Sequence, residues 1–180
     1  IKLIYLVYIY IMSKKNIIIL CGGPPRKNRQ RHLELFNGNP LIKNLINECK
    51  IDNTNLFVLI CKDNIKLINY VKELNINILI AKDEYFRTTM TEALSVEGDC
   101  IMIAGDLISI KKKDILKFVN TEYECALCQY GKRWHYKDIE MNGLIRRSDV
   151  GDCMFKISEN YKKEYLNEKL WEKSKFYFYQ

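Results

Sequence analysis

Four short aliphatic runs, separated by segments with helical spacing, constrain this chain more than any other feature. They are "NIIILC" (16–21), "NLFVLIC" (55–61), "INILIA" (76–81) and "DCIMIAGD" (99–106). Runs this short, with no polar alternation, read as strands buried on both faces. Between them the period changes. Leu41, Ile42, Leu45, Ile46 and Cys49 fall on one helical face, with Asn39 as the expected cap and Pro40 in the first turn. "DNIKLINYVKELN" (63–75) reads as a helix capped by Asp63, with Ile65, Leu67, Ile68 and Val71 inward. "TTMTEALSVEG" (88–98) reads as another, capped by Thr88 or Thr89, with a Thr89–Glu92 capping box and Gly98 as its stop. "KKKDILKFVN" (111–120) is a fourth. "HLELFNG" (32–38) reads as a short extended piece closed by an Asn-Gly turn. "YECALCQY" (123–130) is a fifth strand and "CMFKIS" (153–158) the last, before a polar helical tail at 160–173. Alternation of this kind predicts a single three-layer α/β domain, its mostly parallel sheet covered on both faces.

A chain of 180 residues fits one domain, and 48% hydrophobic with 28% charged residues is ordinary for a soluble globular protein. Residues 1–11, "IKLIYLVYIYI", precede Met12 and are too short to span a bilayer, which needs about 20 apolar residues. They read as a non-native or disordered leader, with the domain at 12–180; the rival readings are an extra strand or a membrane-associating segment. Seven cysteines without a secretory signal suit a reducing cytoplasm. Cys125 and Cys128 form a lone C-x-x-C; with no second pair, they read as core thiols, not zinc ligands.

In parallel sheets, ligands gather at the carboxyl ends of the strands. The loops after Cys21, Ala81 and Gly105 are therefore expected on one rim. The first carries Gly22 and Gly23, which let backbone approach a ligand, then Arg26, Lys27, Arg29 and Arg31. The second leads to Arg87, Thr88 and Thr89 at a helix start, where free N–H groups and the helix dipole favour an anion. The third ends in Asp106, a carboxylate placed to hold Mg²⁺ against phosphates. A net charge of +7 agrees with an anionic partner. Each feature also has a plain reading: a sharp turn, a solvated loop, a pair of helix caps and a turn acid.

"LCGGPPRKNRQRHLELFNGNPLI" (20–42) resembles the opening of the nucleotidyltransferases that make nucleotide sugars and related activated compounds. Leu20, Gly22 and Gly23 match that family's start, and Cys21 falls between them. Arg26 lies one place from the usual Arg. Arg31 stands where a Lys is expected, His32 where a Pro is expected, and "NGNPLI" (37–42) matches the turn that follows. "RTTMTEAL" (87–94) is similar to the segment that contacts the nucleotide, and "IMIAGD" (101–106) to the strand ending in the metal-binding Asp. The resemblance covers roughly residues 14–130.

The resemblance implies a Rossmann-like (GT-A-like) sheet. It implies Mg²⁺-dependent transfer of a nucleoside monophosphate from a nucleoside triphosphate to a phosphorylated acceptor, a sugar 1-phosphate or similar, with release of pyrophosphate. Arg26 and Arg31 are then the catalytic cations. Leu20, Cys21, Gly22, Gly23, Arg26, Lys27, Arg31, Arg87, Thr88 and Thr89 bind the nucleotide. Asp106 and, late in the chain, Asp152 hold the metal, with Asp149 behind Asp152. Pro24 and Pro25 depart from the pattern, because neither has an N–H for a triphosphate; side chains of the loop cations take over as donors. The rivals are a catalytically inactive nucleotide-binding or interaction protein and a GT-A glycosyltransferase, for which "AGDLIS" (104–109) lacks the Asp-x-Asp pair. No stable nucleic-acid complex or membrane contact is expected. The aromatic, basic end "WEKSKFYFYQ" (171–180) suits a homodimer contact or a docked terminus.

Overall fold

The aliphatic run at the start becomes the strand β1 (Lys15–Cys21), whose Ile17, Ile18 and Ile19 are wholly buried. The computed structural model describes residues 14–22, 30–83, 86–107, 110–120, 125–129, 153–163 and 177–179; for 86–88, 125–129, 153, 161 and 177–179 this covers the main chain only. A 3₁₀ turn at Arg31–Leu33 leads into a two-stranded hairpin, β2 (Leu35–Phe36) and β3 (Asn39–Pro40). Helix α1 (Leu41–Cys49), strand β4 (Thr54–Cys61), helix α2 (Ile65–Glu73) and strand β5 (Asn77–Ala81) follow. Then come α3 (Phe86–Leu94), β6 (Asp99–Ala104), α4 (Lys112–Val119), β7 (Cys125–Gln129), β8 (Cys153–Ile157) and β9 (Tyr177–Tyr179).

Seven strands form one sheet in the order β5-β4-β1-β6-β8-β7-β9. β5, β4, β1 and β6 run parallel, with Lys15 opposite both Thr54 and Asp99 at one end of β1. β8 is antiparallel to β6 and to β7, while β9 is parallel to β7. The expected mostly parallel sheet is therefore present, with one reversed strand. Both faces are covered. Ile17 and Ile19 pack with Ile42, Leu45, Ile46, Leu67, Val71, Ile115 and Phe118, from α1, α2 and α4. Ile18, one residue out of phase, packs on the other face with Met90, Ala93 and Leu94 of α3 and with Phe155. Successive strand residues point to opposite faces, so an unbroken aliphatic run is what a central strand between two layers requires. Each isoleucine buried this way contributes roughly 1.5–3 kcal/mol.

Buried polar groups tie the amino edge of the sheet. Asn16 is fully buried. Its Nδ2 donates to the carbonyls of Glu97 and Asp99 at 2.9 and 3.2 Å, and its Oδ1 accepts from Asn55 Nδ2 at 2.9 Å. One amide thus links β1, β4 and the approach to β6. Beside it, the buried Lys162 ammonium donates to the Val96 carbonyl and pairs with Glu159 at 2.8 Å. Glu159 in turn accepts the Gly98 N–H at 2.7 Å. Gly98 has φ +100°, and a Cβ there would run into the Lys14 carbonyl.

Several local expectations shift. The cap of α1 is Pro40, without a side-chain bond, and Asn39 belongs to β3; all five expected apolar positions of that helix are buried. Asn64, not Asp63, caps α2 by accepting the Leu67 N–H, and Ile65 is exposed. α3 begins at Phe86, so Thr88 and Thr89 lie inside it and the capping box does not form; Glu92 pairs with Lys82 at 3.9 Å. Gly98 comes four residues after the helix ends and serves the approach to β6. β8 is not the last strand, because β9 follows it. Residues 1–13 and most of the expected tail at 160–173 lie outside the described residues. Cys21, Cys49, Cys61 and Cys100 are free, buried thiols, and Cys125 and Cys128 both fall in β7. Among the described residues no helix is long and apolar enough to cross a membrane.

Candidate functional site

From β1 the chain passes to β4 and β5 on one side, then returns to β6 on the other. The carboxyl ends of β1 and β6 thus flank the point where the winding reverses, which is where parallel sheets open a crevice. Two glycines decide what that crevice looks like.

Gly105 follows β6 directly. Its N–H donates to the Leu20 carbonyl at 2.9 Å, carrying the β1–β6 ladder one step further. A Cβ at this position would meet Cys21 Sγ at 2.5 Å, Leu20 O at 2.7 Å and His32 Nε2 at 3.0 Å. Only glycine fits there, and its close approach sets Asp106 at the root of the first loop. Gly22, the first residue after β1, is buried, and its Cβ would meet Thr89 Oγ1 at 2.6 Å and Cγ2 at 2.9 Å. Gly22 therefore lies pressed against Thr89 of α3.

Arg31 reaches the same place from the far end of the first loop. Its Nη1 lies 2.9 Å from Asp106 Oδ2. The Asp106 side chain is one-third exposed and that of Arg31 two-thirds exposed, so both face the rim and not the core. The turn that carries Arg31 is fixed below by Leu33, which packs on the core, and by the Leu33 N–H to Gln30 O bond at 2.8 Å. Beyond it, Asn37 and Gly38 take left-handed φ of 52° and 77°, the pair a tight hairpin needs. The Leu41 N–H returns to Glu34 O at 2.9 Å and closes the hairpin onto α1.

Cys21 sits beneath this cluster. Burial pushes its thiol pKa far up, and the Asp106 carboxylate nearby pushes it further. It is a protonated, packed side chain and no nucleophile.

The structure thus brings together Leu20, Cys21, Gly22, Arg31, Thr89 and Asp106 at one edge of the sheet. Arg87 and Thr88 belong to the first turn of α3 by their main chain. Gly23, Arg26, Lys27 and Asp152 lie outside the described residues, as do Pro24, Pro25 and Asp149. Gly105, named from the sequence only as the residue before the third loop, proves to be the close contact that seats Asp106, and His32, named only as standing where a proline is expected, lies beside it. A glycine directly after a buried strand, ahead of an acid, was the available signal for the first; no such signal marks the second. Among the described residues no group of three or more His, Cys, Asp or Glu side chains converges as a metal site.

No protein-family model matches the sequence, and no curated protein matches it either. Solved structures do match in shape. One is CMP:2-keto-3-deoxy-manno-octonic acid synthetase complexed with CTP, at 12% identity and a TM-score of 0.61, over 85% of this chain and 77% of that one. Another is 4-diphosphocytidyl-2C-methyl-D-erythritol synthase from Anaerococcus prevotii, at 13% and 0.62, over 93% and 86%. A third is the manganese complex of Rv0371C from Mycobacterium tuberculosis, at 10% and 0.57, over 88% and 79%. The chain has the fold of the nucleotidyltransferases, the three-layer GT-A-like α/β architecture that its opening motif resembles.

Proposed function

We propose that this protein transfers a nucleoside monophosphate from a nucleoside triphosphate to a phosphorylated acceptor, a sugar 1-phosphate or similar, and releases pyrophosphate. The observation that carries this reading is the meeting of Arg31 with Asp106 at 2.9 Å, where the carboxyl ends of β1 and β6 diverge. A cation and a carboxylate carried on pinned turns at a sheet's switch point suit a polyphosphate and its counter-ion.

The chain's own part in the reaction is positioning and charge. The Arg31 fork donates to phosphate oxygens, with Arg26 and Lys27 as further donors from the loop. The first-turn N–H groups of α3, at Arg87, Thr88 and Thr89, face anionic or carbonyl groups of the nucleotide. Gly22 keeps the loop root low enough for the nucleotide to lie against main chain at Leu20 and Cys21. An acceptor phosphate oxygen attacks the α-phosphorus in line. The bond to the bridging oxygen breaks, and both electrons leave with pyrophosphate, whose charge the loop cations offset.

Asp106 fits a hard divalent cation: it is an oxygen donor, partly exposed, at the rim. Asp106, with Asp152 as the second candidate, would hold it, and it would offset charge on the phosphates.

The neighbours named with CTP, with a diphosphocytidyl product and with manganese support a nucleotide and a divalent ion as ligands. Pyrophosphate release by the purified protein, scanned over four nucleoside triphosphates and a panel of phosphorylated acceptors with Mg²⁺, tests the reading. Release that needs an acceptor supports it. Triphosphate binding without release under any pairing favours an inactive binding protein, the reading that Pro24 and Pro25 recommend.

A further inference from the structure

Arg31 and Asp106 meet from separate elements, and each is fixed at its main chain. The Gln30–Leu33 and Glu34–Leu41 bonds pin the turn that carries Arg31, and the Leu20–Gly105 bond pins the turn that carries Asp106. The freedom left at the contact is that of the arginine side chain, 65% exposed against 33% for the aspartate. The Nη1–Oδ2 contact at 2.9 Å places a guanidinium on the oxygen that the proposed function gives to a divalent cation. Two cations do not share one carboxylate oxygen at such a distance without strong repulsion. Phosphate oxygens, in contrast, satisfy the guanidinium as well as a carboxylate does, often through two parallel bonds.

We propose that Arg31 is a two-position residue. It covers Asp106 against a bare divalent cation, and it moves onto the phosphates when cation and polyphosphate arrive together. The proposal rests on the reading of this rim as a nucleotidyl-transfer site. A partly exposed ion pair is weak, so the cover lowers affinity for a bare cation by only about two- to fivefold. That is little enough for a polyanion to displace. Cation and polyphosphate then bind synergistically, each raising the other's affinity by the same factor. Arg31 thus acts twice, first as a competitor of the metal and then as a ligand of its partner. Lysine, a flexible point charge, would divide those tasks less sharply, which gives a physical meaning to arginine at this position.

The test uses the full chain, Mn²⁺ as the cation and inorganic tripolyphosphate as the polyanion, so that base choice does not enter. Free Mn²⁺ is followed by electron paramagnetic resonance and tripolyphosphate binding by calorimetry. Arg31→Gln is expected to bind Mn²⁺ alone about two- to fivefold more tightly than the wild type. The same variant is expected to bind the Mn²⁺–tripolyphosphate pair roughly tenfold more weakly, through loss of a charge-assisted bond. Asp106→Asn releases Arg31 and is expected to bind metal-free tripolyphosphate more tightly than the wild type does. If Arg31→Gln binds bare Mn²⁺ no more tightly, in a protein that does bind Mn²⁺–tripolyphosphate, the two-position role is overturned and the functional reading stands. A wild-type protein that binds no tripolyphosphate with or without Mn²⁺ overturns both.

Discussion

Replacing Gly22 by alanine tests how the site is built. The new methyl would lie 2.6 Å from Thr89 Oγ1 and 2.9 Å from Cγ2, where ordinary contact begins near 3.4 Å. Thr89 is buried on α3 and the strand below Gly22 is locked between β4 and β6, so neither side yields without cost. Overpacking of this size costs about 1–3 kcal/mol. For a chain of 180 residues, each kcal/mol is worth roughly 2–4 °C in Tm. Thr89→Ala removes both clashing atoms and leaves the Thr89 Cβ at 3.3 Å, a tight but tolerable distance. Alone it costs about 1 kcal/mol, the price of a buried methyl group and hydroxyl. The double variant should therefore be little worse than Thr89→Ala alone, giving a coupling of about 1–2 kcal/mol in a double-mutant cycle. Urea unfolding followed by circular dichroism measures all four proteins. A Gly22→Ala penalty below about 0.5 kcal/mol, or the same penalty in the Thr89→Ala background, would refute the claim that Gly22 is seated on this threonine.

Asp106→Asn should abolish acceptor-dependent pyrophosphate release yet shift the unfolding midpoint by the equivalent of about 1 kcal/mol or less, because the ion pair it breaks is partly exposed; retained turnover would remove Asp106 from the site. Gly105→Ala should cost about 1–3 kcal/mol and reduce turnover together, since its methyl would meet the Leu20 carbonyl at 2.7 Å and shift Asp106; a stable, fully active variant contradicts the close approach. Gly98→Ala should lower stability by about 1–3 kcal/mol without a change in substrate affinity, from its left-handed φ and from the Lys14 carbonyl, far from the rim. The Lys162 ammonium hydrogen bond, helped by the Gly98 N–H, holds the Glu159 carboxyl below its usual range. A depressed carboxyl stabilises the fold above its unfolded pKa and loses that contribution as pH falls towards the folded value. Glu159→Gln should accordingly lower the midpoint at pH 7 and make little difference in strong acid; an equal loss at both would assign the effect to packing instead.

The local chemistry of the chain is legible in its residues. β1, β4, β5 and β6 are where the aliphatic runs put them, and the buried face of α1 is the predicted one, residue for residue. In β1 and β6, burial on two faces leaves no alternation to misread, and a helical face repeats every three or four residues; β5, expected to be buried on both faces, lies at the sheet's edge and leaves Ile80 exposed. Helix ends were less legible. Neighbouring residues compete for a cap with similar chemistry, as Asp63 and Asn64 do, and the winner depends on how the chain arrives from the preceding strand. What lay beyond local pattern is which ends meet. β8 enters between β6 and β7 in reverse, and β9 joins past β7. An apolar strand specifies burial, and its partner is chosen by the chain's path. The same limit applies at the rim. Glycines, an arginine and an aspartate stood out as residue types by themselves. The contact of Arg31 with Asp106, the seat of Gly22 on Thr89 and the place of His32 beside Gly105 arise because parallel pairing aligns the carboxyl ends of strands that are distant in sequence. Periodicity along a chain determines secondary structure and the buried face, whereas the neighbours of a strand's end are fixed by non-local pairing, which only the folded sheet decides.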